Sequence, residues 1–296
     1  MDMVVRTPHI PLPGETVLGS DFRTFPGGKG ANQAVAAARQ GARVTFIGRV
    51  GRDDFGQQLV EKLKSEGIDT NHISVDDASP SGIASITLDE NGENCIVVAP
   101  GANYTITVNH IHQAGDAFKS ADILLTQLEV PLEVIISAAK KASELGLKIV
   151  LNPAPAQVLP EQLLGMVDVL IPNESECAIL SGLPVNSLSK IERASISLLE
   201  KGVGSVIVTL GSRGAFIKES DQPGIHIPAF NVDVIDTTAA GDSFVGTLAV
   251  ALAEGESISE AVKRSCAAGA LATTRLGAQP SIPARHDVFQ LLESDG

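Results

Sequence analysis

Hydrophobic and polar positions follow two different rhythms along this chain. Short runs at Arg43–Arg49, Asp122–Thr126, Leu147–Leu151, Val167–Ile171 and Ser205–Leu210 are nearly all apolar and rich in β-branched residues. Continuous apolar runs of that length suit parallel strands covered on both faces. Between them the period lengthens. Phe55, Leu59 and Leu63 recur at four-residue spacing in Asp54–Glu66, and Leu132, Ile135, Ile136 and Ala139 mark one face of Pro131–Leu145. Both stretches predict amphipathic helices. Strand and helix in alternation imply right-handed crossovers and a doubly wound, mostly parallel sheet.

Two stretches break the rhythm. Met3–Thr7 and Thr16–Phe25 read as strands around a Pro-Leu-Pro-Gly turn. Gly82–Leu88 and Asn94–Ala99 flank Asp89-Glu90-Asn91-Gly92-Glu93, and Asn-Gly between alternating segments signals a hairpin. Strands inserted at about 3–25 and 82–99 predict a small sheet projecting from the core. It could be a lid, an oligomer contact or plain surface hairpins. A strand is also expected at Asn231–Ile235, and helices at Gln33–Arg39, Ser243–Glu254, Ile258–Thr274 and near Asp287–Leu292. No repeat or long linker divides residues 1–296, which read as one domain.

Composition narrows the partners. The 296 residues hold 22 Lys+Arg against 35 Asp+Glu, a formal charge of −13, which argues against a nucleic-acid groove or an anionic membrane surface. Hydrophobic residues at 44% against 19% charged residues exclude disorder. Trp is absent, so a platform for stacking single-stranded bases is not expected. Cys95, Cys177 and Cys266 form no Cys-x-x-Cys pair, which disfavours structural zinc and a disulfide scaffold. No apolar run approaches the roughly 18–20 residues of a membrane span. The N-terminal residues lack the apolar core of a signal peptide. A cytoplasmic location is expected.

The strongest chemical signal is Asp236-Thr237-Thr238-Ala239-Ala240-Gly241-Asp242, which opens an apolar helix. The first turn of a helix presents unpaired N–H groups and partial positive charge to an anion. Ala239, Ala240 and Gly241 allow close approach to the backbone, and Asp242 is placed to accept a proton from an attacking hydroxyl. Local physics leaves a phosphate site and a plain cap on Thr238 equally open. Pro26-Gly27-Gly28-Lys29-Gly30-Ala31-Asn32 has neither phosphate-loop nor dinucleotide spacing. Its simplest reading is a helix-start turn, with backbone contact to a hydroxylated ligand as the functional option. Thr209-Leu210-Gly211-Ser212-Arg213-Gly214 runs into a strand, so it reads as a hairpin turn with nucleotide contact left open. The carboxylates of Asn173-Glu174-Ser175-Glu176 read first as partners of a helix dipole. The histidines show no metal spacing, and no Gly-x-Ser-x-Gly elbow occurs.

Together these segments resemble the ribokinase (PfkB) family of carbohydrate kinases. Gly27–Asn32 is similar to its sugar-side signature, Asp236–Asp242 to its catalytic signature and Asn173-x-x-Glu176 to its metal and phosphate motif. Leu151–Ala156, Thr209–Gly214 and Thr274–Ser281 extend the likeness, in order, through nearly the whole chain. The resemblance implies a three-layer α/β/α sandwich with a β-sheet lid that forms a homodimer contact. It implies ATP-dependent phosphorylation of O5 of D-ribose, with Asp242 as base and the amides of Ala239, Ala240, Gly241 and Asp242 as anion hole. Asp2, Gly28, Lys29, Gly30, Ala31, Asn32 and Glu129 match the sugar side. Asn173, Thr209, Leu210, Gly211, Ser212, Arg213, Gly214, Gly241 and Cys266 match the nucleotide side, Cys266 standing where Asn or His is usual. Glu176 would act on Mg²⁺ through water. Asp236, Thr238, Ala272, Arg275, Gly277 and Ser281 match a site for K⁺. The family's first core strand and its sugar-binding Asn lie upstream of the match, so both are expected to be missing. Alternatives are a deoxyribokinase or another sugar kinase and, in a different class, an inactive sugar-binding or regulatory protein.

Overall fold

The computed structural model describes residues 1–294. Its largest sheet contains, in spatial order, β12 (Ile225–Ile227), β11 (Ala215–Glu219), β10 (Ser205–Thr209), β9 (Val169–Leu170), β8 (Lys148–Leu151) and β7 (Ile123–Thr126). β7 to β10 are parallel, whereas β11 and β12 add antiparallel. Alternate side chains enter different cores, as the pleat requires. Ile149, Leu151, Val206 and Val208 face one layer, filled by α3 (Val108–Gln113), α5 (Leu132–Glu144), α7 (Glu174–Ser181) and α8 (Leu188–Leu199). Val150 and Ile207 face the other, filled by α9 (Ala240–Ala253), α10 (Ile258–Ala272) and α12 (Arg285–Ser294). The architecture is the expected three-layer α/β/α sandwich.

β3 (Thr45–Gly51) and β4 (Asp69–Asp76) pair in parallel as a separate sheet, connected through α2 (Asp54–Ser65). Among the described residues, β3 pairs only with β4 and β7 only with β8. The space between them belongs to a cleft of about 1850 Å³ lined by consecutive residues of both strands, Thr45–Val50 and Ile123–Thr126. Neighbours on a strand point to opposite faces, so an unbroken lining means that the strand edges face the cleft. Ala34, Ala37 and Val250 line it from one helical layer, and Ile111, Val134 and Ile135 from the other.

The inserted strands build one four-stranded sheet in the order β2 (Asp21–Phe25), β1 (Asp2–Arg6), β5 (Ile83–Leu88), β6 (Asn94–Ala99). β5 and β6 form the hairpin, with Leu88 opposite Asn94 across the Asn-Gly turn. The two insertions are stitched together by the parallel pair β1–β5.

Two strand expectations need correction. Thr16–Ser20 is loop: pairing with β1 ends at Arg6 opposite Asp21, and the chain ahead of it turns back, with the Glu15 carboxylate accepting from the N–H of Leu12. Among the described residues, Asn231–Ile235 joins no ladder; the N–H groups of Ile235 and Asp236 donate to the carbonyl of Thr273 beyond α10, at 2.8 and 3.1 Å. Helix α1 (Lys29–Arg39) begins earlier than expected and absorbs Gly30, Ala31 and Asn32. It lies against α9 at very short range: a Cβ on Gly246 would meet the carbonyl oxygen of Gln33 at 2.5 Å and Cβ of Ala36 at 2.6 Å. The remaining helices are short, namely α4 (Gly115–Lys119), α6 (Glu161–Leu164) and α11 (Ala278–Ser281).

Candidate active site

The start of α9 converges with the start of α1 where the sheet's carboxyl ends open. Ala239, not Thr238, precedes the helix, and it is held at φ 60° in the left-handed region. An alanine there costs about 1–2 kcal/mol relative to the right-handed region. Strain of this kind persists only where surroundings enforce it. The conformation aims the first amides of α9 outward. The N–H groups of Ala239, Gly241 and Asp242 have no partner among the described residues, whereas that of Ala240 turns back to the carbonyl of Thr237 at 3.3 Å. Three donors of the expected anion hole are therefore free, and the fourth is engaged.

Asp242 is buried under this turn. Asn32 Nδ2 donates to its Oδ2 at 2.9 Å and Gln33 Nε2 to its Oδ1 at 2.9 Å. Burial raises its pKa, opposed by Lys29 and by the two amide donors. Oδ1 of Asn32 is buried without a partner among the described residues. An unpaired buried acceptor costs about 1–3 kcal/mol, which a hydroxyl donor on a ligand would relieve.

The sugar-side residues gather around the same point. The Asp2 carboxylate sits over Gly27, where a Cβ would come within 2.1 Å of Oδ2, so only glycine fits there. Glu129 Oε2 accepts the N–H of Lys29 at 2.9 Å. Burial raises the pKa of Asp2 and of Glu129, and the Asp242 charge pushes both further up. Carboxylates, an ammonium and an amide arranged this way can receive several hydroxyls, since each offers acceptors or donors at fixed directions.

A second pocket of about 220 Å³ adjoins the first and shares Lys29 and Asp242 with it; Asn173, Glu176 and Thr209 line its far side. Asn173 and Glu176 form a reciprocal capping box at the start of α7, with Asn173 bridged to Thr209. Glu176 Oε2 accepts the Asn173 N–H at 2.8 Å, and burial raises its pKa. The Thr209–Gly214 segment is a tight 3-10 turn between β10 and β11, in which Leu210 is buried and Gly211, Ser212 and Arg213 are exposed. Arg213 pairs with Glu174 at 2.5 Å and ties this turn to α7. Cys266 does not join this group. It lies in the second core, where burial pushes its thiol up to about 12.

Asp236, Thr238 and Gly277 do come together. Oδ1 of Asp236 accepts both the N–H and the hydroxyl of Thr238, and Oδ2 accepts the N–H of Gly277 at 2.8 Å. Burial acts to raise its pKa, but these bonds outweigh it and hold the carboxylate below its ordinary value. Ala272 and Ser281 are buried nearby in the chain, while Arg275 reaches toward Asp287 at 3.8 Å. A carboxylate with hydroxyl and carbonyl oxygens is a hard donor set suited to an alkali cation.

Sequence reasoning missed Gln33, Asn152 and Gln127. Gln33 Nε2 also donates to Asn152 Oδ1 at 3.0 Å, and Gln127 Nε2 donates to Gln33 Oε1. Polar residues on otherwise small or apolar faces were the available signal, Gln33 standing directly before Ala34-Val35-Ala36-Ala37.

The description "pfkB family carbohydrate kinase" fits residues 1–285. The chain belongs to the pfkB family of carbohydrate kinases. It is accordingly an enzyme of that family. A ribokinase of Haemophilus influenzae is 42% identical over 292 residues, covering 99% of this chain and 95% of that protein. A deoxyribokinase of Salmonella typhi is 36% identical over 284 residues, covering 96% and 92%. The structure of Arabidopsis thaliana ribokinase complexed with ribose and ATP superposes with a TM-score of 0.91 at 32% identity, covering 99% of this chain and 95% of that one. Among the described residues, no helix is long and apolar enough to cross a membrane.

Proposed function

We propose that this kinase transfers the γ-phosphoryl group of ATP to O5 of D-ribose, giving D-ribose 5-phosphate. The observation that carries the reading is a buried carboxylate, Asp242, lodged between a hydroxyl-receiving pocket and a turn of free amides. In-line transfer needs a base beside the attacking oxygen and fixed positive dipoles around the moving phosphoryl group. Asp242 takes the O5 proton as the oxygen attacks phosphorus. The amides of Ala239, Gly241 and Asp242 and the Lys29 ammonium receive the charge spread over the phosphoryl oxygens. Asp2, Glu129 and Asn32 hold the sugar, while Gly28, Gly30 and Ala31 keep the backbone close. Asn173, Thr209 and the exposed turn to Gly214 receive the nucleotide.

Mg²⁺ would neutralise the phosphate charge of ATP. Glu176 fits a hydrated ion, since one oxygen caps α7 and the other is left for a metal-bound water, a mode that suits an ion reluctant to dehydrate. The oxygen set around Asp236, with Thr238, Ala272, Arg275, Gly277 and Ser281, would hold K⁺ and brace the Ala239 turn. The lid sheet joins two copies into a homodimer. Unpaired Cys95, Cys177 and Cys266 support a cytoplasmic location. One more parallel strand would fill the slot between β3 and β7 and unite the two halves of the sheet; the apolar lining from both helical layers supports this.

A 36% identical deoxyribokinase supports phosphorylation of 2-deoxyribose as the second reading. ADP release measured over a pentose panel tests both. Ribose is expected to be the preferred substrate, with activity lost on chelation of Mg²⁺ and reduced when K⁺ is replaced by Na⁺. Asp242→Asn is expected to lower kcat at least about a thousandfold with ATP still bound. Equal efficiency on ribose and 2-deoxyribose would overturn the ribose assignment.

A further inference from the structure

We infer that Gln33 is a positioning residue that fixes the orientation and charge state of the Asp242 carboxylate through a one-way chain of amide hydrogen bonds. The inference rests on the reading of Asp242 as the base.

The polarity of the chain is set at its far end. The backbone carbonyl of Ile171 can only accept, and it takes its bond from Asn152 Nδ2 at 2.8 Å. Asn152 must therefore turn Oδ1 the other way, where it meets Gln33 Nε2 at 3.0 Å. Gln127 donates to the opposite end of the Gln33 amide, Oε1. The Asn152 contact requires that nitrogen, not oxygen, faces Asp242, the Gln127 contact is compatible with it, and Nε2 donates to Oδ1 at 2.9 Å. An amide inverted by 180° would set two acceptors against each other at Asp242 and again at Asn152. The orientation follows from the network itself, the proper basis for assigning an amide.

A donor locked in this way favours the ionised carboxylate at a site whose burial favours the neutral acid. With Oδ1 occupied by Gln33, the carboxylate cannot spin, and Oδ2 is left to share Asn32 with the incoming hydroxyl. Gln33 is fully buried and lines neither pocket itself, so it reaches the substrate only through the lining residues it bonds, Asp242 and the amides of Gln127 and Asn152. The charged groups that face Asp242 are Lys29, which favours its ionisation, and Asp2, Glu129 and Glu176, whose carboxylates oppose it. None of them is altered by changing Gln33.

Gln33→Met keeps the volume and removes the donor. It is expected to lower kcat about tenfold and to move the acid limb of the kcat–pH profile up by about one unit, with KM for sugar and ATP changed less than about twofold. Gln33→Glu, which places a carboxylate against Asp242, is expected to shift the acid limb further. Gln127→Met, outside the direct contact, is expected to show the same shift in smaller measure, and serves if Gln33→Met does not fold. A variant that melts earlier but keeps the parental kcat and acid limb would overturn the inference and leave Gln33 a packing residue. Asp242→Asn separates the two levels. If it still turns over sugar, the base assignment fails; if it is inactive while Gln33→Met is normal, only the present inference fails.

Discussion

Single residues near the site are held by neighbours that limit what each can do. Asn32 spends its amide nitrogen on Asp242 and keeps its oxygen unpaired, while Glu176 divides its two oxygens between a helix cap and the phosphate pocket. Away from the site, Glu66 shows how such constraint becomes stability. Hydrogen bonds from Arg39 foremost, with Lys62, hold its pKa near about 2 against an ordinary 4.5, although burial works in the opposite direction. Arg39 also donates to the carbonyls of Gln279 and Ile282, at 2.9 and 2.6 Å, so the cluster fastens α1 to the chain beside α11. A carboxylate depressed on folding contributes stability above its unfolded pKa and loses it as pH falls through the folded one. Glu66→Gln should therefore unfold at lower denaturant concentration than the parent above about pH 4.5. The difference should shrink steadily as pH is lowered toward 2. A gap independent of pH would show that packing, not charge, supplies it.

At the scale of elements, the contact between α1 and α9 decides the geometry of catalysis. α9 carries Asp242, and α1 carries Asn32 and Gln33. Residues Asp242–Leu252 are all buried, so α9 is a central helix without a solvent face, and its small residues let α1 lie almost on its backbone. Adding one methyl group at Gly246 should be felt at both ends. Gly246→Ala would push against the Gln33 carbonyl and Ala36, and overpacking of this kind costs about 1–3 kcal/mol. We expect a lower Tm together with at least a tenfold (roughly 1.4 kcal/mol) fall in kcat, since separating the helices draws the amides of Asn32 and Gln33 off the carboxylate. Unchanged kcat at reduced Tm would show that the helices absorb the methyl without moving the site.

The molecule as a whole is a sandwich with a projecting sheet whose faces differ in purpose. Asp2, Val4, Ile86 and Ile96 turn toward the large cleft. The intervening positions point away, and among them Phe22 and Val97 are 55% and 65% exposed. Cross-strand register places Val5 beside Phe22, and Ser85 beside Val97, on this outer face. Apolar side chains exposed on a sheet mark a surface for association. Val97→Asp should convert the proposed dimer to monomer in sedimentation without unfolding it. A parent already monomeric at micromolar concentration would refute the lid contact.

Much of this was legible before folding because local rules act locally. The apolar runs at Leu147–Leu151 and Ser205–Leu210 and the Asn-Gly hairpin each declare their structure through period or turn chemistry, whereas the left-handed Ala239 ahead of α9 was not legible. Asn231–Ile235 misled for the same reason: its pattern is that of a strand, but among the described residues it joins no ladder and its last N–H turns to the carbonyl of Thr273. Tertiary structure alone brought Gln33 onto Asp242, with Asn152 and Gln127 onto Gln33, and alone joined two sequence-distant insertions into one sheet through β1 and β5. A hydrogen bond between residues some two hundred positions apart leaves no periodic trace in either segment. The chain by itself determined which elements form and which groups can do chemistry; the packing of α1 on α9 decided which of those groups meet.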